Sequence, residues 1–414
     1  MEVRTITACR SCGSTRLDTV LNLGVLAISD FVLPGDPEDR APLELVVCLD
    51  CSLVQLRHTV DRDRLYRNYY YRSGTNESMV AALRDVVDDA CRRVPLRSGD
   101  VVVDIGCNDG TMLEMFPQGL HRVGFEPSNL AKVAAKRFAW GIVFSDYFPP
   151  KIDNYAHYLP EQAKIITSIA CFYDVDDPNA FVAAIKEWLH PDGVWIVQFQ
   201  DLHKMLSVNG FDNICHEHLT YWGMAAFTAL LARHGLQVEA CSDNATNGGS
   251  VRYVVKHGTR RPPPVDPIHA VEFRYQLADF AHDVDCLRWQ TRELLYRLRA
   301  EGKSVMGYGA STKGNSTLQY YGIGPDLVSA IADRNPDKWG RVTAGSRIPI
   351  ISEEEMRERK PDYLLVLPWH FIDGFVEREA EFLAGGGQFI VPLPELKVIG
   401  RAQTPSTPAP AGLR

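Results

Sequence analysis

Apolar positions along this chain fall into two blocks of alternating strand and helix, with one long helical stretch between them. Residues 101–105 (Val-Val-Val-Asp-Ile) read as a short buried strand, because a near-continuous apolar run marks a strand covered on both faces. It enters a glycine-spaced turn, 106–110, and a helical stretch opens at Thr111. A second strand, 122–125, ends in Glu126, and a third precedes Ser145. Residues 165–170 and 194–199 complete the block as fourth and fifth strands, and 77–94 reads as a helix leading into it. A proline cluster at 262–264 marks a boundary, and the long helix is predicted over roughly 268–300. The second block has strands at 304–308, 328–333, 363–367 and 388–392. The expected division is a small module at 1–68, an α/β domain at 69–257, a second Rossmann-like domain at 258–400 and a disordered tail at 401–414, rich in prolines and small residues.

Composition narrows the classes. The 414 residues carry a net charge of −8 with no basic stripe, which argues against nucleic acid as a partner. No apolar run approaches the roughly 20 residues that span a bilayer, and the first residues lack the apolar core of a signal peptide. A cytoplasmic protein is expected, in which the ten cysteines are thiols or metal ligands. The sequence does not fix the oligomeric state; a monomer is compatible with it.

Cys9-x-x-Cys12 and Cys48-x-x-Cys51 form a paired-knuckle pattern. Each pair offers two thiolates from one tight turn, and two pairs complete a tetrahedral Zn²⁺ site. Such a site is closed, so the metal is expected to be structural. The prolines between the pairs leave too little chain for an independent core, the situation in which a module relies on metal.

The turn after the first strand supplies Asp104, Gly106, Asn108, Asp109 and Gly110. Its Gly-x-x-x-Gly spacing is not a dinucleotide fingerprint, but glycines there let backbone approach a ligand closely. Glu126 at the tip of the second strand is placed to accept hydrogen bonds from ribose hydroxyls, with Pro127 and Ser128 beside it. DIGCNDG followed by GFEPS resembles the S-adenosylmethionine (SAM) site of class I methyltransferases. That resemblance implies Asp146 near the adenine and Ser168, in the fourth strand, near the methionine end.

Three further stretches carry chemistry. Tyr69, Tyr70 and Tyr71 belong to a tyrosine-rich run that suits either a packing seam or a wall facing a polar substrate. Cys215-His216-Glu217-His218 follows the fifth strand and is the best candidate for acid–base work, since histidine supplies a base near neutral pH. In the second block, the turn Gly309-Ala310-Ser311-Thr312-Lys313-Gly314-Asn315 opens a helix with a lysine in its first turn, an arrangement that favours a phosphate.

In its order of parts the chain resembles the sugar C-methyltransferases of antibiotic deoxysugar pathways, notably the C-3 enzymes of the tetronitrose and kijanose type. GYGASTKGN, DRNPDKWGR and PDYLLVLPWH resemble that family's third domain. The resemblance implies an α/β enzyme with an N-terminal Cys₄ zinc module, a class I SAM methyltransferase domain and a C-terminal Rossmann-like domain. It implies SAM and structural Zn²⁺ as cofactors and a dTDP-linked 4-keto-6-deoxy sugar as substrate, with Gly309, Lys313, Asn315, Asp333, Arg334, Lys338, Trp369 and His370 near the nucleotide sugar. His218 is then the base, with Glu217, His216 and Tyr70 in support and Tyr69, Tyr71 and Cys215 near substrate. Two positions depart from the family: Cys215 stands where a tyrosine is usual, and His370 where asparagine is frequent. O-methylation, sugar enolisation or epimerisation, and a non-enzymatic zinc-ribbon protein that senses SAM are the alternatives.

Overall fold

In the computed structural model the described residues are 2–67, 69, 71–137, 141–150, 161–244, 246–260 and 267–400. The proline cluster, Tyr70 and the tail after Gly400 lie outside them. The chain forms two compact units, one of residues 1–22, 44–205 and 216–275, the other of residues 23–43, 206–215 and 276–414. Among the described residues no helix is long and apolar enough to cross a membrane.

The first unit is built on a seven-stranded sheet. Its order is Leu236–Asn244, Ser250–His257, Leu189–Gln200, Ala163–Ile169, Val101–Ile105, His121–Phe125, Gly141–Phe144. The five strands from Leu189–Gln200 to Gly141–Phe144 are parallel, and Ser250–His257 runs against both neighbours. Val101–Ile105 sits in the middle and is buried throughout, which is why it reads as apolar on both faces. Val101, Val103 and Ile105 join one core with Phe172, Phe181, Trp195, Phe199, Trp222 and Phe227, whereas Val102 joins the other with Leu83, Val86 and Leu113. That second core is covered by the helix Glu77–Arg93, whose N-cap Asn76 accepts from the Ser78 amide.

Both cysteine turns of the N-terminal module belong to this unit, while residues 23–43 between them belong to the other. Strand Val54–Leu56 pairs antiparallel with 45–47 on one side and with Thr220–Tyr221 on the other. Cys9, Cys48 and Leu53 are buried in the same aromatic core as Phe172 and Trp222.

The second unit holds a six-stranded sheet, ordered Ile350–Ile351, Ile331–Ala332, Val305–Tyr308, Tyr363–Val366, Gln388–Val391, Lys397–Ile399. All pairs are parallel except the last, the Rossmann-like arrangement expected of the second block. Its strand at 331–332 is shorter than the apolar run 328–333 suggests. The long helix spans Pro267–Ala300.

Inside the first sheet, Asp104 is wholly buried and its Oδ1 accepts from Thr167 Oγ1 at 2.7 Å. Burial pushes its carboxyl up to about 7; the Thr167 hydroxyl opposes this and the Glu126 charge adds to it. Below about pH 4 the carboxyl is protonated folded and unfolded alike, so no penalty applies. Above it the unfolded chain ionises first, and stability falls as pH rises through 7. Asp104→Asn is therefore expected to gain on the parent by up to roughly 4 kcal/mol between pH 4 and pH 7, then level off. Denaturant unfolding of both proteins across that range measures it, and parallel curves would contradict the assignment.

Candidate functional sites

The two Cys-x-x-Cys turns fold alike. The Gly13 amide donates to Cys9 O and the Ser52 amide to Cys48 O, both at 2.9 Å, and both donors have positive φ, 77° and 60°. This brings four thiols together with every Sγ within 4.8 Å of the others. Cys9 and Cys51 sulfurs stand 3.6 Å apart and Cys12 and Cys48 sulfurs 3.5 Å apart. A tetrahedral Zn²⁺ with Zn–S near 2.3 Å needs sulfurs about 3.8 Å apart, so the set fits zinc. Crowding already favours a thiolate: the Cys51 and Cys9 thiols hold Cys48 far below the ordinary thiol range, while burial pushes Cys12 up to about 11. Gln55 Nε2 donates to Cys9 Sγ at 3.2 Å, the outer contact that orients a ligating sulfur. Among the described residues, His216 is buried and separate from this cluster.

At the carboxyl end of the central sheet, Gly106, Asn108 and Gly110 all have positive φ. A Cβ on Gly106 would lie 3.1 Å from the Cys171 side chain, and one on Gly110 would lie 3.0 Å from Ala134 Cα. Both positions therefore require glycine for conformation and for space. Glu126 is buried, with Oε2 accepting from the Asn108 amide at 2.8 Å and Oε1 from the Ser128 amide at 3.0 Å. Asp109 Oδ1 accepts from Thr111 Oγ1, and its Oδ2 pairs with Arg137 at 3.2 Å. Gly loop and acid tip are thus one preorganised cup, of the shape that takes a nucleoside at a sheet edge.

A strap of the tyrosine-rich run lies along this cup. Arg67 donates to Pro127 O, the Tyr69 amide to Asn129 Oδ1, the Ser73 amide to Asn108 Oδ1 and the Gly74 amide to Asp109 Oδ2. Tyr71 O accepts from Asn108 Nδ2 at 3.0 Å. Asp146 is half-buried and Oδ1 accepts from the next amide. Ser168 is placed differently from the cup: it is buried on the aromatic face, and its hydroxyl accepts from Trp195 Nε1 at 3.1 Å.

His218 stands beside the turn that follows the fourth strand, its ring 4.5 Å from that of Tyr173 at 62°. Tyr66 OH donates to Glu217 O at 2.8 Å, which ties the strap to the same segment. Tyr66 opens the tyrosine-rich run read from the sequence, whereas Tyr173 and neighbouring Asp174 were not singled out; the run Phe172-Tyr173-Asp174 just past the fourth strand is the signal that could have found them.

In the second unit, Cys215 is buried, and Lys313 donates to Asn213 Oδ1. Trp369 Nε1 donates to Asp212 Oδ2 at 3.1 Å. Burial, aided by the Lys313 charge, lowers His370 to about 4. Gly309 has φ 81° and packs on Pro368. These residues gather at one end of the sheet. Asn315 differs: it is fully buried and Nδ2 donates to Asp30 O. Lys338 is held by Asp333 Oδ2 at 3.2 Å and by Ala310 O at 2.7 Å, and Arg334 is exposed.

Three family models match the chain: a zinc binding domain at residues 9–66, a methyltransferase domain at 76–240 and a C-methyltransferase C-terminal domain at 245–394. The C-methyltransferase NovU of Streptomyces niveus is 34% identical over 97% of this chain and 99% of its own length. Solved structures with a partial likeness include an S-adenosylmethionine-dependent methyltransferase from Clostridium acetobutylicum, 13% identical over 43% of this chain and 92% of that one, TM-score 0.35. Another is the magnesium protoporphyrin IX methyltransferase of Synechocystis, 12% identical over 48% and 93%, TM-score 0.35.

Cys48→Ser is expected to lose the bound metal and lower the melting temperature, and a chelator should do the same to the parent. Losing even about 3 kcal/mol of zinc-linked stability moves the midpoint by roughly 6–12 °C in a unit of this size. Zinc content by elemental analysis, alongside thermal unfolding, measures both; an unchanged midpoint at zero zinc would refute a structural role.

Proposed function

The chain belongs to the C-methyltransferase family and is a SAM-dependent methyltransferase with structural zinc, and on that premise we propose that it methylates C-3 of a dTDP-linked 4-keto-6-deoxy sugar. Family membership sets aside the non-enzymatic reading. The observation that carries the proposal is the position of His218 against Tyr173, at the carboxyl end of the fourth strand in the sheet that carries the glycine cup.

A carbon beside a ketone becomes nucleophilic when its proton is removed. His218 takes that proton from C-3. Glu217, whose backbone oxygen is fixed by Tyr66, orients the imidazole or a substrate hydroxyl. A donor must meet the oxygen charge that develops at C-4, where preorganised hydrogen bonds contribute most; His216 is buried in the same segment, and Tyr70 is the second candidate. When bound, SAM supplies the electrophilic methyl group. Asp104, Gly106, Asn108, Asp109, Gly110 and Glu126 form its cup, with Pro127 and Ser128 on the acid side and Asp146 toward the base. The chain's further work is to align the reacting atoms and exclude water.

The second unit is read as the holder of the nucleotide part. Lys313, in the first turn of the helix Thr312–Tyr321 capped by Ser311, offers a charge and free amides to a diphosphate. Trp369 and His370 offer ring faces. The substrate is a small molecule; no nucleic-acid or membrane partner enters this reading. Lys338 and Asp333 satisfy one another and support the turn rather than reach for ligand.

Incubation with dTDP-4-keto-6-deoxyglucose and SAM in D₂O tests this. A gain of one methyl, located on C-3 by NMR, is expected. A methyl on C-5 would overturn the position, a methyl on oxygen would overturn the chemistry, and recovery of unaltered sugar would overturn the substrate class. His218→Ala is expected to lose roughly 10²–10⁴-fold in rate while SAM binding by calorimetry is retained; a variant with near-parental rate would remove His218 from the role.

A further inference from the structure

The turn Phe172–Asp174 lies beside the acid–base segment. Phe172 lies 5.4 Å from Trp222 ring to ring. Tyr173 O accepts from Thr220 Oγ1 at 3.1 Å, and its ring meets His218. Asp174 is the next residue along the turn and Glu217 the next back along the segment, and the Glu217 charge acts on Asp174. Among the described residues, Asp174 Oδ1 is buried and has no hydrogen-bond partner. A buried carboxylate oxygen without a donor is costly as a charge but tolerable as part of a neutral acid. Burial indeed holds Asp174 well above the usual carboxylate range, with Glu217 adding to the effect. Two carboxyls in such a place share a proton instead of both ionising.

We propose that Asp174 is a positioning residue of the methyl-transfer site, its carboxyl donating a hydrogen bond to the Glu217 carboxylate and so fixing the group that orients His218. This rests on His218 being the base. Among the described residues, Glu217 of the segment acts on Asp174, and on its own turn Cys171 has its thiol pushed up by burial and by the Asp174 charge; the neighbouring Tyr173 ring meets His218. Asp174 acts while it holds its proton. As pH rises through its elevated value the donor is lost and two like charges face each other, so activity falls on the alkaline side.

Asp174→Ala and Asp174→Asn, assayed with dTDP-4-keto-6-deoxyglucose and SAM across pH, test the proposal. The alanine variant is expected to lose roughly tenfold to hundredfold in kcat, less than removal of the base itself. The asparagine variant keeps a donor at every pH, so it should recover most of the rate and lose the alkaline decline. An alanine variant with parental rate and profile, or an asparagine variant as slow as alanine with the decline intact, would overturn it. If the parent does not methylate this sugar, the functional reading fails separately. The His218 titration midpoint, followed by NMR with SAM alone, then decides: it should move upward in Asp174→Ala, where the Glu217 charge is no longer shared, and an unmoved midpoint would refute the coupling.

Discussion

Two residues of backbone, Thr220 and Tyr221, carry a constraint on which the site of the first unit depends. They pair with Gln55 and Val54 and so extend the zinc module's own strand pair. Leu56 N donates to Leu219 O just before them. His218 therefore has its position fixed from the zinc module, one residue away from a sheet ladder, while its imidazole is met from the methyltransferase sheet by Tyr173. A metal site that performs no chemistry still bears on where His218 stands, because the strand beside it is the partner of the segment that carries His218.

A buried arginine reinforces that link. Arg10 lies between the first two cysteines, with Nη1 donating to Leu56 O at 2.6 Å, Nη2 to Thr59 Oγ1 at 2.7 Å and Nε to Asp176 Oδ1 at 3.1 Å. Burial lowers the guanidinium from its ordinary value and the Asp176 charge works against that shift. A cation so enclosed stabilises only if its donors are met, and here they are met from both sides: strand Val54–Leu56 of the module and the turn just past Asp174. Asn179 Nδ2 adds bonds to Arg10 O and Ser11 O, and Arg233 adds another to Ser11 O. The knuckle is thus fastened to helices Pro178–Trp188 and Met224–Arg233 of the same unit.

Much of this architecture was legible in the sequence because it is local. The central strand, its turn at Gly106 and Gly110, the acid Glu126, the helix from Glu77 and the long helix ending at Ala300 all follow from patterns within about one element's length, where periodicity and glycine placement suffice. The zinc ligands were legible too, since each pair sits in one turn. What was not legible depends on distant pairing. Ser168 lies one residue from Thr167, yet the pleat sends Thr167 to Asp104 and Ser168 to Trp195, and the face could not be known before the register was. Arg10, Tyr173 and Asp174 look like ordinary polar residues in sequence. Their roles appear only when strands far apart in the chain bring Leu56, Glu217 and Thr220 beside them.

The second unit shows the same logic with the opposite charge. Asp212 is wholly buried, and although the Lys313 charge and the Trp369 indole both favour its ionised form, burial prevails and holds its carboxyl up. His370 is held down by burial and by the same lysine. The Lys313 charge thus acts both on an acid that burial holds up and on a histidine that burial holds down, and its hydrogen bond goes to a neutral amide, Asn213. Burial of one carboxyl thus keeps Asp212 from acting as a full counter-charge at this end of the sheet, where Lys313 bonds to a neutral amide instead.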